Sequence, residues 1–386
     1  MIDLAARLAE LEAHGLRRRR RILASGQGPR IVLDGQPLLS FASNDYLGLA
    51  AHPALAEAAC AAARQFGTGA GAAHLLSGHH ALHHEAEIAL AEFVGLPAAL
   101  LFSTGYMANL GVVSALLDRH GAIFADKLNH ASLVDAAQLS RAEHHRYRHT
   151  DLDHLETLLR TSRARHKLIA TDAVFSMDGD LAPVPELLAL AERHDAWLYL
   201  DDAHGFGVLG EHGQGILAHF GLGSLATRHP SLIYLATLGK AAGVAGAFVA
   251  GSPDLVEWLV NKARTYIYTT AQPPLLAAAV LASLRLIAGA PERRQRLACL
   301  IARLKAGAAG LPWPLMASDT PIQPLHVGGN DAALRLADGL RTRGLLCPAI
   351  RPPTVPEGSA RLRISLSASH TPGDLDILLA ALKDLA

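Results

Sequence analysis

Lys240 is the one charged side chain in SLIYLATLGKAAGVAGAFVAGS, residues 231–252, where it follows a glycine between two apolar runs of strand length. A lysine at a strand-to-loop junction among small apolar residues is poorly solvated. Desolvation disfavours the ammonium form and lowers the pKa from a reference of about 10.4. A neutral amine there can form an imine with an aldehyde. Taken alone, Lys240 could equally reach solvent from a loop. The stretch WLYLDDAHGFG, residues 197–207, is a second apolar strand, ending in Asp201 and Asp202 with His204 close behind. Open α/β sheets bind ligands at the carboxyl ends of their strands. Asp201 and Lys240 both fall on such ends, and the pair suits pyridoxal 5'-phosphate. The lysine would make the Schiff base, and the aspartate would keep the pyridine nitrogen protonated so that the ring acts as an electron sink. Asp201 alone also fits a turn or helix-capping aspartate.

A phosphate needs donors. STGYMANLG, residues 103–111, follows an apolar strand and opens a helix, so Gly105 and Tyr106 would present backbone N–H groups to an anion. Thr237 could add a hydroxyl. Ser103 or Thr104 acting as a simple N-cap explains the same residues. In ARLRISLS, residues 360–367, alternation puts Arg361, Arg363 and Ser365 on one face of a strand. A half-buried arginine wants a carboxylate, either in a substrate or in a structural ion pair. The run Arg17–Arg21 reads as a solvated helix face that could also meet an acyl group's distal carboxylate or a carrier's phosphates.

These residues need a scaffold. Residues 1–23 read as a helix, and RIVLDGQPLLSF, residues 30–41, as a hairpin turning at Asp34-Gly35. Helical periodicity predicts helices over 53–66, 80–94, 106–118, 131–140, 152–161 and 185–194. Short apolar runs predict strands over 98–102, 122–126, 167–171, 196–202, 232–237 and 246–251. Strands alternating with helices imply crossovers and a mainly parallel sheet covered on both faces. Residues 253–310 read as long helices, and a smaller α/β unit follows from about 320. The expected division is an N-terminal segment (1–50), a large domain (51–285) and a small C-terminal α/β domain (286–386).

Composition narrows the classes. The 386 residues are half hydrophobic, with 35 basic and 35 acidic side chains. That balance argues against nucleic acid or an anionic membrane as partner. Cys60, Cys299 and Cys347 show neither metal spacing nor a disulfide framework, which fits a reducing, cytoplasmic location. The N-terminus lacks the pattern of a secretion signal, and no stretch reads as a membrane span.

SNDYLGL (43–49), LLFSTGYMAN (100–109), DKLNHASL (126–133), VFSMDGD (174–180), DDAHGFGVLGEHGQG (201–215), TLGKA (237–241) and RPPTVPEGSARLRISL (351–366) together resemble the α-oxoamine synthases, nearly end to end and in that family's order. These are fold-type I pyridoxal phosphate enzymes, with a mainly parallel seven-stranded sheet in the large domain. The resemblance implies that Lys240 carries the cofactor and moves protons at the substrate Cα. It implies that Asp201 pairs with the pyridinium, His130 stacks on the ring, and His204 and Ser176 lie near the phenolic oxygen. Gly105, Tyr106 and Thr237 would hold the cofactor, chiefly at its phosphate. Arg363 would bind the amino-acid carboxylate, and Thr354 and Arg18 would contact substrate. His130 and Lys240 are the implied acid and base groups. RPPTVP and the overall length are most similar to the branch that condenses L-alanine with a pimeloyl thioester, on coenzyme A or a carrier protein, with loss of carbon dioxide in biotin synthesis. A homodimer with its site at the subunit interface is implied, with Thr269 or Thr270 lent to the neighbour's phosphate.

Two other stretches point elsewhere. SGHHALHHEAE, residues 77–87, sets His79/His83 and His80/His84 at i, i+4, a spacing that can bind metal. There is no H-E-x-x-H, and the expectation is a structural cluster with no metal. GTGAGA, residues 67–72, resembles a dinucleotide loop but follows a helical stretch rather than a strand. That weakens the rival class, an NAD-dependent oxidoreductase. Around Ala72–His74 and at His79 the chain departs from the family's usual loop. A glycine- or serine-using relative is the rival within the family.

Overall fold

The computed structural model describes residues 2–14, 16–223 and 229–386. Its strands are β1 (Arg30–Leu33), β2 (Gln36–Ser40), β3 (Ala98–Phe102), β4 (Gly121–Asp126), β5 (Glu143–Tyr147), β6 (His166–Asp172), β7 (Ala196–Asp201), β8 (Leu232–Thr237), β9 (Ala247–Gly251), β10 (Ile322–Gly328), β11 (Leu345–Leu346), β12 (Ala349–Ile350) and β13 (Ala360–Ser365). Seven of them form the central sheet in the order β3-β9-β8-β7-β6-β4-β5. Strands β5, β4, β6, β7 and β8 run parallel, while β9 is antiparallel to both β8 and β3.

The sheet is buried on both faces, which is why its strands read as unbroken apolar runs. Leu198 and Leu200 pack into one core with Phe124, Ile169 and Phe248. Tyr199, between them in the chain, packs into the other core with Leu168, Ile233 and Val249. Helices Gly105–Leu116, Ala131–Ser140 and Pro253–Lys262 supply the second core, and Ala81–Val94, Val184–Arg193 and Pro274–Gly289 the first. Each fully buried leucine stabilises the packing by about 1.5–3 kcal/mol. Because the crossovers are parallel, Asp172 at the end of β6, Asp201 at the end of β7 and Thr237 at the end of β8 all reach one edge.

Two features depart from the sequence reading. The helix expected over 1–23 is confined to Leu4–Ala13, none of which is buried. Further helix would stack the like charges of Arg17–Arg21 at i, i+3 and i, i+4; instead Arg17 and Arg19 turn onto Glu12 at 3.2 and 2.8 Å. Strand β5, EHHRY, is absent from the sequence reading because it is the polar edge strand of the sheet and carries no apolar run. The hairpin does turn at Asp34-Gly35, both at positive φ (52° and 77°). Its second strand also pairs in parallel with β11 from the far end of the chain. No single helix among the described residues is long and apolar enough to cross a membrane.

The turn 174–180 joins the sheet to the C-terminal strands. Gly179, at φ 76°, passes so close to Ile322 that a Cβ would lie 2.5 Å from its carbonyl oxygen, and the hydroxyls of Ser318 and Thr320 donate to the Gly179 carbonyl. On the sheet side His149 bridges Asp126 (3.0 Å) and Asp180 (2.8 Å). Burial opposes charge on that imidazole, but hydrogen bonds and attraction from both carboxylates outweigh it and raise the pKa to about 10. The folded value lies above the unfolded one of about 6.5, so this contribution is complete below pH 6.5 and is lost as pH rises towards 10. Urea unfolding at pH 6 and pH 10 should show a loss on the order of 1–2 kcal/mol, after solvent screening, in the unchanged chain that is missing from His149→Gln. Equal pH slopes in the two proteins would refute the bridge's role.

Candidate active site

A pocket of about 190 Å³ opens at the carboxyl edge of the sheet, where the ends of β6, β7 and β8 meet the start of helix Gly105–Leu116. Gly105, Tyr106, His130, Ser176, Asp201, His204, Thr237 and Lys240, all expected from the sequence, line it together. Arg363, Thr354 and Arg18 do not; the last two line a separate groove of about 580 Å³. Thr269 and Thr270 do not line the pocket either.

Lys240 lies three residues beyond β8, and its Nζ is 2.7 Å from His204 Nε2. Burial lowers its pKa to about 8, against the pull of the Asp201 and Asp172 carboxyls. His204 is itself held well below the usual imidazole range, by burial first and then by the Lys240 charge. It therefore accepts from the amine at Nε2, and its Nδ1–H donates to the Tyr46 hydroxyl at 2.6 Å. Tyr46 in turn donates to Asn44 Oδ1 at 3.2 Å, and that oxygen also accepts from Arg363 at 3.1 Å. A chain of hydrogen bonds thus runs from the amine to a buried guanidinium.

Arg361 and Arg363 are both buried, on the shared face that alternation predicts. Their partners differ. Arg361 makes the structural ion pair, with Asp178 from the 174–180 turn. Arg363 donates to the Ser176 carbonyl (2.6 Å), Ser365 (2.7 Å) and Asn44, and has no carboxylate partner among the described residues. A buried guanidinium in this state can pair with an incoming carboxylate.

Asp201 is oriented by residues the sequence reading did not single out. Asn109 donates from Nδ2 both to Asp201 Oδ2 and to Ser132 Oγ, each at 2.8 Å, and accepts from the Tyr199 hydroxyl at 2.7 Å. Every polar site of that amide is thereby used. Ser132 lies 2.7 Å from His130 Nδ1, which also accepts from the Ser132 N–H and caps helix Ala131–Ser140. That arrangement places the ring proton of His130 on Nε2. Burial lowers the His130 pKa, so the ring is neutral at pH 7. Asp172 sits beside Asp201 in the sheet register and accepts from the His130 N–H at 3.0 Å. Its carboxyl is pushed well above the usual range, by burial first and then by the charge of Asp201. Asp172 was findable by the same rule that found Asp201, since both end parallel strands. Asn109 and Tyr199 carried no such signal, because a helix interior and a strand interior are ordinary places for them.

Helix Gly105–Leu116 opens at one end of the pocket. Thr104 is its N-cap, accepting from Met107 N at 3.1 Å, which leaves the first N–H groups at Gly105 and Tyr106 without intrahelical partners. A Cβ on Gly105 would fill the space towards Thr237, whose own Cβ is 4.0 Å away. The Thr237 hydroxyl donates to the Gly246 carbonyl at 3.1 Å, so an anion would compete for its proton. Tyr106 turns its hydroxyl outward onto Asp135.

A profile of the family described as aminotransferase class I and II matches residues 36–382. The chain is 61% identical over 384 residues to 8-amino-7-oxononanoate synthase of Nitrosomonas eutropha, covering 100% of this chain and 99% of that protein. It is 61% identical to the enzyme of the same name from Chromobacterium violaceum, over 98% of this chain and 97% of that one. Among solved structures it is similar to the serine palmitoyltransferase of Sphingomonas wittichii, with TM-score 0.91 and 30% identity over 99% of this chain and 95% of that one. It is also similar to 8-amino-7-oxononanoate synthase of Francisella tularensis, with TM-score 0.78 and 31% identity over 90% and 98% of the two chains.

Proposed function

This chain belongs to the aminotransferase class I and II family, in its 8-amino-7-oxononanoate synthase branch, and from that premise we propose which of its residues carry the reaction. It is a pyridoxal-phosphate-dependent acyltransferase that condenses L-alanine with a pimeloyl thioester, releasing carbon dioxide and the free thiol carrier, a step of biotin biosynthesis. The pocket fits the cofactor. It offers an amine of lowered pKa, a carboxylate held by two N–H donors, and a helix N-terminus with free N–H groups, within a volume suited to one ring and one phosphate. Lys240 would tether the aldehyde, Asp201 would face the ring nitrogen, His130 would lie against the ring with Ser176 and His204 near its phenolic oxygen, and Gly105, Tyr106 and Thr237 would hold the phosphate. When bound, the cofactor supplies an electron sink for the pair left at the substrate Cα by loss of a proton or of carbon dioxide.

The rest falls to the protein. The observation that carries the reading is Arg363, a buried cation with no carboxylate partner among the described residues and linked to Lys240 through Asn44, Tyr46 and His204. It binds the alanine carboxylate and so orients Cα towards the amine. With a pKa of about 8, Lys240 is partly neutral under ordinary conditions and takes the Cα proton; the carboxyls of Asp172 and Asp201 favour the ammonium that results. His130, with its proton on Nε2, donates towards oxygen developing charge on the thioester carbonyl. The Arg18–Thr354 groove has an apolar wall from Leu8, Leu11 and Leu16 and a basic rim from Arg17, Arg18 and Arg351, which supports a seat for the acyl chain and its distal carboxylate. Exposed Leu76 and Tyr268 support the homodimer, with Thr269 or Thr270 serving the neighbour's site. A cytoplasmic location follows from the reaction's soluble substrates.

Arg363→Ala should raise KM for alanine on the order of 10²-fold with a smaller fall in kcat, and Arg363→Lys should recover only part of it, because an ammonium cannot reproduce the fork. Steady-state kinetics at varied alanine test this, and an unchanged KM would remove Arg363 from substrate binding. The activity itself is tested by pairing L-alanine, glycine or L-serine with pimeloyl-CoA or acetyl-CoA. Free thiol and carbon dioxide should appear together and fastest with alanine and pimeloyl-CoA. A faster glycine and acetyl-CoA pair would move the chain to another branch. Sedimentation of the same preparation as a 40.7 kDa particle would exclude the homodimer.

A further inference from the structure

Away from this pocket, a groove of about 560 Å³ is lined by His74, His79, His84 and Glu87 beside Tyr266. Of the metal-compatible histidine pairs in the sequence, the fold keeps His79/His83 together, beside His74, but His83 has no free nitrogen to offer. Both nitrogens of His83 are occupied: Nδ1 accepts from the His80 N–H at 3.1 Å and Nε2 donates to the Gln272 carbonyl at 2.9 Å. What the fold brings together is His79 from the loop before helix Ala81–Val94 with His84 and Glu87 on that helix, their nearest ligand atoms all within 4.8 Å of one another.

We propose that His79, His84 and Glu87 form a binding site for a divalent transition cation of the zinc class, with a water-filled fourth position opening into the groove.

The orienting groups around the three side chains support it. The Leu101 N–H fixes Glu87 through Oε1 at 2.9 Å, leaving Oε2 directed at His79 Nε2, 3.9 Å away. The His79 Nδ1 meets His74 Nδ1 at 3.0 Å, and His74 is immobilised by stacking on Tyr266 at 4.8 Å. The proton between the two Nδ1 atoms can sit on either ring. Where it sits on His79, the His79 Nε2 lone pair faces the Glu87 carboxylate, and a cation between them would satisfy both acceptors. Metal-bound histidines are held in this way, with the second nitrogen donating to a fixed partner. Two imidazoles and one carboxylate suit zinc-class cations over calcium or magnesium, which prefer all-oxygen shells. Tetrahedral coordination needs ligand atoms about 3.3 Å apart, from bond lengths of about 2.0–2.1 Å. His84 is exposed, so solvent rather than packing surrounds the side chain that must rotate to close the set.

The test is titration of the cofactor-loaded protein with Co²⁺, read by its ligand-field absorption, and with Zn²⁺, read by calorimetry. One ion per chain with an intense tetrahedral-type cobalt band is expected. His84→Gln and, separately, His79→Gln should weaken binding at least about 10²-fold and abolish the band, while His212→Gln, on a distant loop, leaves both unchanged. Glu87→Gln keeps the acceptor for Leu101 and so isolates loss of the negative ligand; about 10-fold weaker binding is expected. Thermal melts in chelator establish that each variant is folded. Failure to bind one ion per chain, or a cobalt band that survives both histidine substitutions, overturns the proposal.

Discussion

Turnover should fall by at least about 10⁴-fold in Lys240→Ala, with the fold intact. In the proposed mechanism the amine is required twice, to hold the cofactor and to move the Cα proton, and no other amine among the described residues lines the pocket. Its one hydrogen-bond partner among the described residues is His204, whose other nitrogen stays anchored by Tyr46. Removing a desolvated cation from a buried site relieves an unfavourable charge, so melting within a few degrees of the unchanged protein is expected. Product formation and a thermal melt measured on one preparation decide it. Turnover above about one per cent would require another group to be doing this chemistry.

The second large effect is at Asp201. In Asp201→Asn the side chain no longer carries the charge that, in the proposed mechanism, would keep a facing ring nitrogen protonated. The amide has one acceptor oxygen where Asp201 uses two, so its N–H₂ must meet a donor, either the Asn109 N–H₂ or the Ala203 N–H. A fall in kcat on the order of 10³-fold is expected, with cofactor lost more readily on dialysis. Asn109→Ala offers the comparison: it leaves the charge but releases its orientation, so it should cost less, about 10-fold. If Asp201→Asn keeps a normal kcat, the charge on that side chain has no part in the reaction.

Both predictions concern residues that the sequence already marked. Lys240 and Asp201 were legible because parallel strands deliver their carboxyl ends to one edge, so an ionisable residue ending an apolar run is placed by topology before any side chain is seen. Arg361 and Arg363 could not be told apart in the same way. Alternation gives them one face, and only the approach of Asp178, from a turn far off in sequence, pairs one and leaves the other free. The orienting shell was illegible for a related reason: Asn109 and Tyr199 meet by long-range packing of a helix on a strand, which leaves no periodic trace. Strand β5 escaped because polar edge strands lack the apolar run that marks the others. The N-terminal helix was read too long because its charge pattern is helical in period, although consecutive arginines repel one another.

The parallel pairing of β2 with β11 sets the order in which the molecule can be made. Strand β2 emerges from the ribosome early, while its partner is encoded some three hundred residues later, and the Arg30–Asp374 and Ser40–His370 contacts lie later still. Until synthesis is nearly complete, the first hairpin therefore presents Leu38 and Leu39 along an open strand edge, exposed to pairing with other nascent chains. Chains truncated before residue 345 keep the residues that line the Lys240 pocket but leave that edge uncapped, and should aggregate more readily than the full chain.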